Sequence, residues 1–288
     1  MNFGVRGQPP RGSFACGTRI VFATCRPTNS NNNRPTRLRK TLNKVLQPTG
    51  YRIGKLKELP PQAAPLETFH SFKYLRHNAR RLEHLASLQL PLAGKTVLEV
   101  GAGTGDHSHF FLDRGCPMLI TEARADNLQI IQQRYPQARV QALDMERPQL
   151  SSAEKFDIVY CYGLLYHLAD PARALEFMAQ RCREMLLLET CVSFGDDLQI
   201  HLCDEDPAEP SQAVSGRGCR PTRPWIFTEL RRHFPFVYLP RTQPWHEEFP
   251  LDWSKSMAGL VRAVFIGSRQ RLGNPSLINH VPAKQVRH

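Results

Sequence analysis

Hydrophobic and polar positions along the chain follow two different periods, and the changes between them mark the predicted elements. Short apolar runs typical of buried strands occur at 96–101, 117–123, 140–144, 156–163 and 185–190. Stretches with apolar residues at helical spacing separate these runs. Apolar strands that alternate with helices are typical of a parallel sheet covered by helices on both faces. We therefore predict a doubly wound α/β domain over residues 91–270.

Four further stretches complete the predicted organisation. Residues 236–242 and 261–269 resemble late strands, close enough in sequence to form an antiparallel edge. An amphipathic pattern predicts a helical N-terminal extension over 37–90. The pattern breaks over 191–225, which we predict to be a substrate loop or lid, because long loops inside compact α/β domains are usually functional. Residues 271–288 are predicted to be a C-terminal tail.

The excess positive charge is confined to the N-terminal segment. The formal net charge is +12, and residues 1–57 contain twelve Lys and Arg but no Asp or Glu. Residues 1–36 are also rich in Gly, Pro and Asn, which predicts a disordered basic leader. A targeting peptide and an arm for anionic surfaces are the alternatives. The rest of the chain is neutral, so nucleic acid is not expected as a partner.

The lengths of the apolar runs and the spacing of the cysteines bear on the cellular compartment of the protein. No run approaches the roughly 20 apolar residues that a membrane span needs. The eight cysteines include no CxxC pair, so we expect reduced thiols and no metal site. A cytoplasmic location follows as an expectation.

The stretch VLEVGAGTGD (97–106) carries the first chemical signal. Glycines 101, 103 and 105 follow a predicted strand, where a backbone without side chains approaches a ligand closely. A pyrophosphate site usually has GxGxxG spacing, whereas this loop has GxGxG. Glu99 also lies two residues before the first glycine, and a carboxylate repels a pyrophosphate but attracts an ammonium or sulfonium. We predict a partly cationic ligand that carries an adenosine.

Acidic residues at the next two strand ends agree with this ligand. Glu122 ends the second strand, at the distance expected for an acid that binds ribose hydroxyls. Asp144 ends the third strand, where it would accept from an exocyclic amine, and Met145 would pack on a purine. Each acid alone is more typical of a helix cap or a turn. Together with the glycines they form a more specific set.

In order and spacing, these motifs resemble those of class I S-adenosylmethionine-dependent methyltransferases. The similar segments are VLEVGAGTGD, ITEA, ALDME, FDIVYCYGLLYHLADP and LLLET, within residues 90–190. The resemblance implies a Rossmann-like, mostly parallel seven-stranded sheet with one antiparallel strand. Segments after residue 215 resemble methyltransferases associated with glycan or natural-product biosynthesis.

The resemblance also implies S-adenosylmethionine as the cofactor and a set of residues that hold it. These residues are Glu99, Gly101, Gly103, Gly105, Glu122, Asp144, Met145 and Tyr162. The glycines would approach the methionine part, and Glu99 would organise the glycine loop or the cofactor ammonium. Glu122 would hold the ribose and Asp144 the adenine. The end of the fourth strand, residues 161–163 around Tyr162, would offer backbone carbonyls to the ammonium.

Candidate catalytic and substrate residues follow the fourth strand. Methyl transfer from a sulfonium mainly requires that the enzyme position the acceptor and exclude water. His167 is the predicted base for an alcohol or phenol, and Tyr166 is the second candidate, although packing or capping is the alternative for both. Arg220, Arg223 and Trp225 are predicted to hold an anionic group of the acceptor, with solvated loop charges as the alternative.

The favoured function is methyl transfer from S-adenosylmethionine to a small-molecule or sugar-containing acceptor. A tRNA-modifying enzyme of the same fold is one alternative, since a wobble-uridine-modifying family carries a similar LYH motif. A non-catalytic protein that binds a nucleotide cofactor is the other.

Overall fold

The computed structural model describes residues 65–150 and 152–288. The predicted basic leader, 1–36, and the first part of the predicted helical extension lie outside these residues. The described strands are β1 (Val97–Val100), β2 (Met118–Glu122), β3 (Arg139–Ala142), β4 (Phe156–Tyr162), β5 (Cys182–Val192), β6 (Ile200–Asp204), β7 (Arg217–Pro221), β8 (Phe236–Pro240), β9 (Thr242–Gln243), β10 (Val261–Ser268), β11 (Leu277–Ile278) and β12 (Val286–Arg287).

Helices of different lengths connect and cover these strands. The described α-helices are α1 (Pro65–Phe69), α2 (Phe72–Ser87), α3 (Ser108–Leu112), α4 (Ala125–Arg134), α5 (Pro171–Arg181) and α6 (Arg223–His233). A single 3₁₀ turn, Leu165–His167, follows β4. Within the described ranges, no helix has the length and apolar character needed to cross a bilayer.

The main sheet has the strand order β11-β8-β10-β5-β4-β1-β2-β3. Strands β1 to β5 are mutually parallel, and β10 runs antiparallel to both of its neighbours, β5 and β8. This architecture confirms the predicted fold class, a mostly parallel sheet with an antiparallel strand inserted near one edge. The sheet brings the carboxyl ends of β1, β2 and β4 together, where ligands bind in open α/β sheets.

Side chains on opposite faces of the sheet build two apolar clusters. Leu98 and Val100 of β1 join the cluster under α5 and α6, whereas Val97 joins the cluster under α2, α3 and α4. Successive side chains of a strand point to opposite faces. Glu99 therefore lies on the same face as Val97, where it is buried beneath the loop after β1.

The sheet gains an eighth strand from the segment predicted as a C-terminal tail. Leu277 and Ile278 form β11, which pairs antiparallel with β8 and is buried. Asn274 leads into this strand, because its side-chain oxygen accepts from the backbone nitrogen of Ser276 at 2.8 Å. Strand β12 pairs with β9 nearby. Two buried apolar residues therefore place part of 271–288 in the sheet.

The predicted loop 191–225 contains a β-hairpin. Strands β6 and β7 pair antiparallel, from Ile200 opposite Pro221 to Asp204 opposite Arg217. We call residues 205–216, which connect them, the hairpin loop. The exposed and buried side chains of β6 alternate weakly because the hairpin is separate from the main sheet. Its apolar pattern is therefore too weak to identify from sequence alone.

Candidate active site

A cleft of about 1060 Å³, counting its open mouth, lies at the carboxyl ends of the central strands. Five parts of the fold wall it: helices α1 and α2, the loop after β1, the ends of β2 and β3, the segment after β4, and the hairpin loop. Residues that line it include Phe69, Tyr74, Arg81, Glu99, Gly101, Gly103, Glu122, Asp144, Met145, Tyr162, Tyr166, His167, Gln212 and Arg262. Most of the predicted cofactor and catalytic residues therefore surround one cleft.

The loop after β1 approaches its neighbours too closely for side chains. Gly101 has a φ of +70°, and a Cβ placed there would lie 2.8 Å from Cδ2 of Leu164. Gly103 has a φ of +58°, and its Cβ would lie 3.0 Å from the ring of Phe69. Gly105 does not line the cleft and faces Tyr135 instead. The first two glycines thus open the cleft, whereas the third allows close packing behind it.

The carboxylate of Glu122 is held by backbone nitrogens at the end of β2. It accepts from Gly103 N at 2.8 Å and from Ala123 N and Arg124 N at 3.0 Å each. Burial raises the pKa of Glu122, and these hydrogen bonds oppose that shift. The carboxylate therefore fixes the glycine loop relative to β2 while still lining the cleft.

Glu99 also lines the cleft and is more buried than Glu122. Its Oε2 accepts from Ser108 Oγ at 2.5 Å. Burial raises the pKa of Glu99 to about 7, and the serine hydroxyl opposes the shift. A carboxylate with this pKa loses its proton readily when a cation binds nearby.

Asp144 and Met145 lie together after β3, as predicted. Asp144 is exposed, and its Oδ1 accepts from the backbone nitrogen of Glu146 at 2.9 Å. Met145 is buried and belongs to the apolar cluster under α5 and α6. Both residues line the cleft.

Four buried polar atoms of residues that line the cleft lack a hydrogen-bond partner among the described residues. They are the hydroxyl of Tyr162, Nε2 of His107, Oδ1 of Asn127 and Nε of Arg81. His107 Nδ1 lies 2.9 Å from the hydroxyl of Tyr160, and burial lowers the pKa of His107 to about 3, so its ring is neutral. Buried polar atoms normally have partners, so these unpartnered atoms indicate a site for a polar ligand.

His167, which lines the cleft, is part of a buried polar pair. Its Nδ1 forms a hydrogen bond with Oε2 of Glu205, the first residue of the hairpin loop. Arg220 Nη2 lies 3.3 Å from the other carboxylate oxygen of Glu205. Burial lowers the pKa of His167, and Glu205 opposes that shift. The imidazole is therefore neutral at neutral pH and held at one nitrogen.

Residues 72–236, more than half of the chain, match the family described as "Methyltransferase domain". The chain belongs to the methyltransferase-domain family. This result confirms the predicted resemblance. The prediction of an S-adenosylmethionine-dependent enzyme agrees with that membership.

This methyltransferase spans less than half the length of the curated relatives that it matches. The chain is 31% identical over 116 residues to "tRNA U34 carboxymethyltransferase" of Pseudoalteromonas translucida (strain TAC 125), which covers 37% of this chain and 35% of the relative. It is 31% identical over 143 residues to the protein of the same name from Edwardsiella ictaluri (strain 93-146), covering 45% and 41%. The matched region is therefore well under half of these relatives.

A solved structure shares the fold of this methyltransferase. The N-terminal domain of EvdMO1, crystallised in the presence of SAH and D-fucose, aligns with a TM-score of 0.53 and 21% identity. The alignment covers 67% of this chain and 83% of that chain. This similarity supports the Rossmann-like architecture.

The three predicted substrate residues do not line the cleft. Arg220 contacts Glu205 and the backbone oxygen of Tyr166. Arg223 stacks on Trp253 at 3.6 Å and donates to the backbone oxygen of Pro282 at 2.9 Å. Trp225 packs partly buried against the apolar cluster under α5 and α6. The structure thus gives the two guanidiniums separate partners rather than a shared anion clamp.

Tyr166, the second predicted catalytic residue, is buried beside His167. Its ring lies 3.9 Å from the His167 ring, and Arg262 donates to its hydroxyl at 3.2 Å. Burial raises the pKa of Tyr166. The hydroxyl therefore keeps its proton at neutral pH, which favours a packing role beside His167.

Sequence reasoning missed two charged residues on the cleft side of the fold, Arg81 and Arg262. The carboxylate of Glu189, in the second half of β5, pairs with Arg81 at 2.7 Å and with Arg262 at 3.2 Å. Arg81 also lies against Gly163, where an added Cβ would come within 3.3 Å of the guanidinium. Its position on the inward face of α2 was the available signal.

One cluster among the described residues has the composition of a metal site. The ligand atoms of His77, His246 and Glu248 all lie within 4.8 Å of one another. His246 Nδ1 accepts from the backbone nitrogen of Glu248 at 3.2 Å, which leaves the proton on Nε2. Arg262 also donates to the Glu248 carboxylate at 2.7 Å. The hydrogen bonds therefore oppose a cation at this cluster.

Proposed function

We propose that this chain transfers a methyl group from S-adenosylmethionine to a small-molecule or sugar-containing acceptor. The donor would bind in the cleft at the carboxyl ends of β1, β2 and β4, with the acceptor at its outer side. When bound, the donor supplies a methyl group that is activated by a positively charged sulfur.

The observation that carries the proposal is the set of unpartnered buried atoms on residues that line the cleft. The Tyr162 hydroxyl, His107 Nε2, Asn127 Oδ1 and Arg81 Nε have no hydrogen-bond partner among the described residues. A polar ligand in the cleft would satisfy such atoms. The first three carry no positive charge that would repel a sulfonium, and the guanidinium of Arg81 is paired with Glu189.

Separate groups in the cleft suit different parts of the donor. The carboxylate of Glu122 has lone pairs that the three backbone nitrogens do not use, and these would accept hydrogen bonds from ribose hydroxyls. Asp144 would accept from the adenine amine, and Met145 would pack on the ring. Arg81 would attract the donor carboxylate, since a guanidinium matches a carboxylate in shape and charge.

His167 is the residue that we propose as the base. It lines the cleft, its ring is held at Nδ1, and its lowered pKa keeps it neutral. Tyr166 would support it through ring contact. The hairpin loop would exclude water, because Gln212 and its neighbours cover the same side of the cleft.

Calorimetry with S-adenosylmethionine and with NAD tests the donor. We expect binding of the first and none of the second. Asp144→Ala should weaken donor binding by about 1–3 kcal/mol through an unpaired amine. Gly103→Val should abolish it, whereas Gly273→Val, at a glycine with nothing within 4 Å of its Cβ, should leave it unchanged. Preference for NAD, or full affinity in both cleft variants, would refute the donor assignment.

A tRNA acceptor is the second candidate, because the curated relatives carry the name "tRNA U34 carboxymethyltransferase". The basic segment 1–57 would supply phosphate contacts, since the rest of the chain is neutral. Filter binding of tRNA with and without residues 1–57, at two salt concentrations, separates the candidates. Tight, salt-sensitive binding together with a modified nucleoside in digested tRNA would favour the tRNA acceptor.

A further inference from the structure

Glu205 and His167 come together from distant parts of the chain. His167 ends the 3₁₀ turn after β4, whereas Glu205 directly follows β6, 38 residues later. The pairing uses Nδ1 of the imidazole and Oε2 of the carboxylate. Both side chains are mostly enclosed, with relative exposures of 12% and 6%. The contact is therefore part of the interior of the site rather than a surface ion pair.

Several groups hold the Glu205 carboxylate in this position. The backbone nitrogen of Ala213 donates to it at 2.8 Å, and Arg220 lies 3.3 Å from it. Gly218 leaves the space that it occupies, because a Cβ there would lie 2.7 Å from Oε1. Burial alone would raise the pKa of Glu205, but the bond from His167 and these contacts outweigh it, so the pKa is lowered. The carboxylate is therefore anionic.

An anionic carboxylate at Nδ1 decides which imidazole nitrogen carries the proton. A carboxylate only accepts hydrogen bonds, so Nδ1 is the protonated nitrogen of the neutral ring. Nε2 is then the unprotonated nitrogen, and no described residue hydrogen bonds to it. A base held in this way, with a carboxylate behind its other nitrogen, is arranged to take a proton from a hydroxyl.

We infer that the acceptor atom is a hydroxyl oxygen, with His167 as its base and Glu205 as the residue that positions this base. The inference rests on the proposed function and specifies its acceptor class. An alcohol or phenol is a weak nucleophile until its proton leaves, whereas a thiol is partly ionised at neutral pH. The acceptor oxygen bonds to the methyl carbon, the carbon–sulfur bond breaks with its electrons on sulfur, and the hydroxyl proton moves to Nε2.

The hairpin loop links this base to closure of the cleft. Glu205 begins the loop, and residues 210–214 of the same loop line the cleft. Arg124, which follows Glu122 after β2, donates at 3.0 Å to the backbone oxygens of Pro207, Glu209 and Gln212. The loop that covers the acceptor side therefore also carries the carboxylate that sets the imidazole.

The first experiment reads the imidazole directly and needs no acceptor. Long-range ¹H–¹⁵N spectra of the full chain labelled at histidine, with His167→Gln to assign the signal, report which ring nitrogen carries the proton. We expect protonated Nδ1 and unprotonated Nε2 in the wild type. In Glu205→Gln this preference should be lost, while Asp204→Asn, an exposed acid one residue earlier, should retain it. Protonated Nε2 in the wild type would overturn the inference.

The second experiment identifies the methylated atom. The full chain is incubated with S-adenosylmethionine carrying a ¹³C methyl group and a panel of sugars, phenols, amines and thiols. The carbon chemical shift of the product distinguishes O-methyl from N-methyl and S-methyl groups. We expect O-methyl products. Transfer to amines or thiols alone would overturn the hydroxyl assignment but leave the methyltransferase proposal standing, whereas no donor binding and no transfer would refute both.

The pH dependence of turnover on the hydroxyl substrate shows whether Glu205 positions His167 or only packs the hairpin loop. Glu205→Gln should lower turnover by roughly 10²–10⁴-fold. It should also move the acidic limb to lower pH, because the carboxylate raises the pKa of His167. Its donor affinity should stay unchanged. A lower rate with an unshifted acidic limb would indicate that Glu205 only stabilises the loop, and would overturn its positioning role.

Discussion

The backbone nitrogen of Gly103 donates to the carboxylate of Glu122 across 2.8 Å, which joins the loop after β1 to the end of β2. The same carboxylate accepts from the two residues that follow it. One side chain thus sets the relative position of two strand ends, and both strand ends border the cleft. Its removal should affect the ligand and the loop together.

Glu122→Gln tests this relationship with little change of shape. The amide must turn one N–H group toward backbone donors, so at least one buried hydrogen bond is lost at a cost of about 1–3 kcal/mol. We expect donor affinity to fall roughly tenfold or more, measured by calorimetry with S-adenosylmethionine. Asp113→Asn, an exposed acid-to-amide change, is the matched control. Wild-type affinity in Glu122→Gln would show that the loop is set by other contacts.

The buried carboxyl of Glu99 should make stability depend on pH. Burial raises its pKa from 4.5 to about 7, so the folded chain holds this proton more tightly than the unfolded chain. The resulting stabilisation is complete below about pH 4.5 and is lost as the pH rises to about 7, by about 3 kcal/mol. In urea unfolding from pH 4.5 to 8, the free energy of unfolding of Glu99→Gln should rise relative to that of the wild type as the pH increases.

Ser108→Ala provides the internal control for that pH effect. The Ser108 hydroxyl donates to Glu99 and lowers its pKa, so its removal should extend the loss of stability to higher pH. A constant difference between Glu99→Gln and the wild type at all pH values would contradict the raised pKa.

The buried carboxylate of Glu189 should matter far more for stability than an exposed one. Glu189→Gln leaves the guanidiniums of Arg81 and Arg262 without this partner, and such losses cost about 3–5 kcal/mol. Glu247→Gln breaks an exposed pair with Arg76 and should leave the free energy of unfolding nearly unchanged. Urea unfolding of both variants at pH 7 measures the contrast, and equal effects would refute it.

Arg124 should restrain the hairpin loop. Arg124→Gln removes the contacts of one guanidinium nitrogen to three backbone oxygens, together worth roughly 1–3 kcal/mol. We expect at least tenfold faster hydrogen exchange at backbone amides of residues 206–214, measured by mass spectrometry. Arg114→Gln, which removes a contact within α3 and its following turn, should not change exchange there. Unchanged exchange in the first variant would show that other contacts close the loop.

The parts of the fold that the sequence predicted are those with strong local patterns. Residues 97–100 and 156–162 are buried on both faces, so their apolar runs stand out. The hairpin of β6 and β7 has no such run, because Ile200–Asp204 is largely exposed. Strand β11 is only two residues long. Its pairing depends on β8 rather than on any pattern of its own.

The cofactor side of the site was more accessible to sequence reasoning than the acceptor side. Gly101, Gly103 and Glu122 lie at the ends of adjacent parallel strands, where topology alone brings them together. Glu205 reaches His167 only through the path of a hairpin, and in the sequence it lies between two other acids, Asp204 and Asp206. Arg220 and Arg223 are three residues apart, yet the start of α6 at Arg223 sends their side chains to different partners.

Phe69 and Arg81 line the cleft, although both precede the first strand of the sheet. A clone designed to begin at residue 91, where strands and helices start to alternate, would keep the sheet but lack one side of the cleft. The smallest fragment that can bind a ligand in the cleft is therefore longer than the smallest fragment that completes the Rossmann core, so a fragment for crystallisation should start before α1.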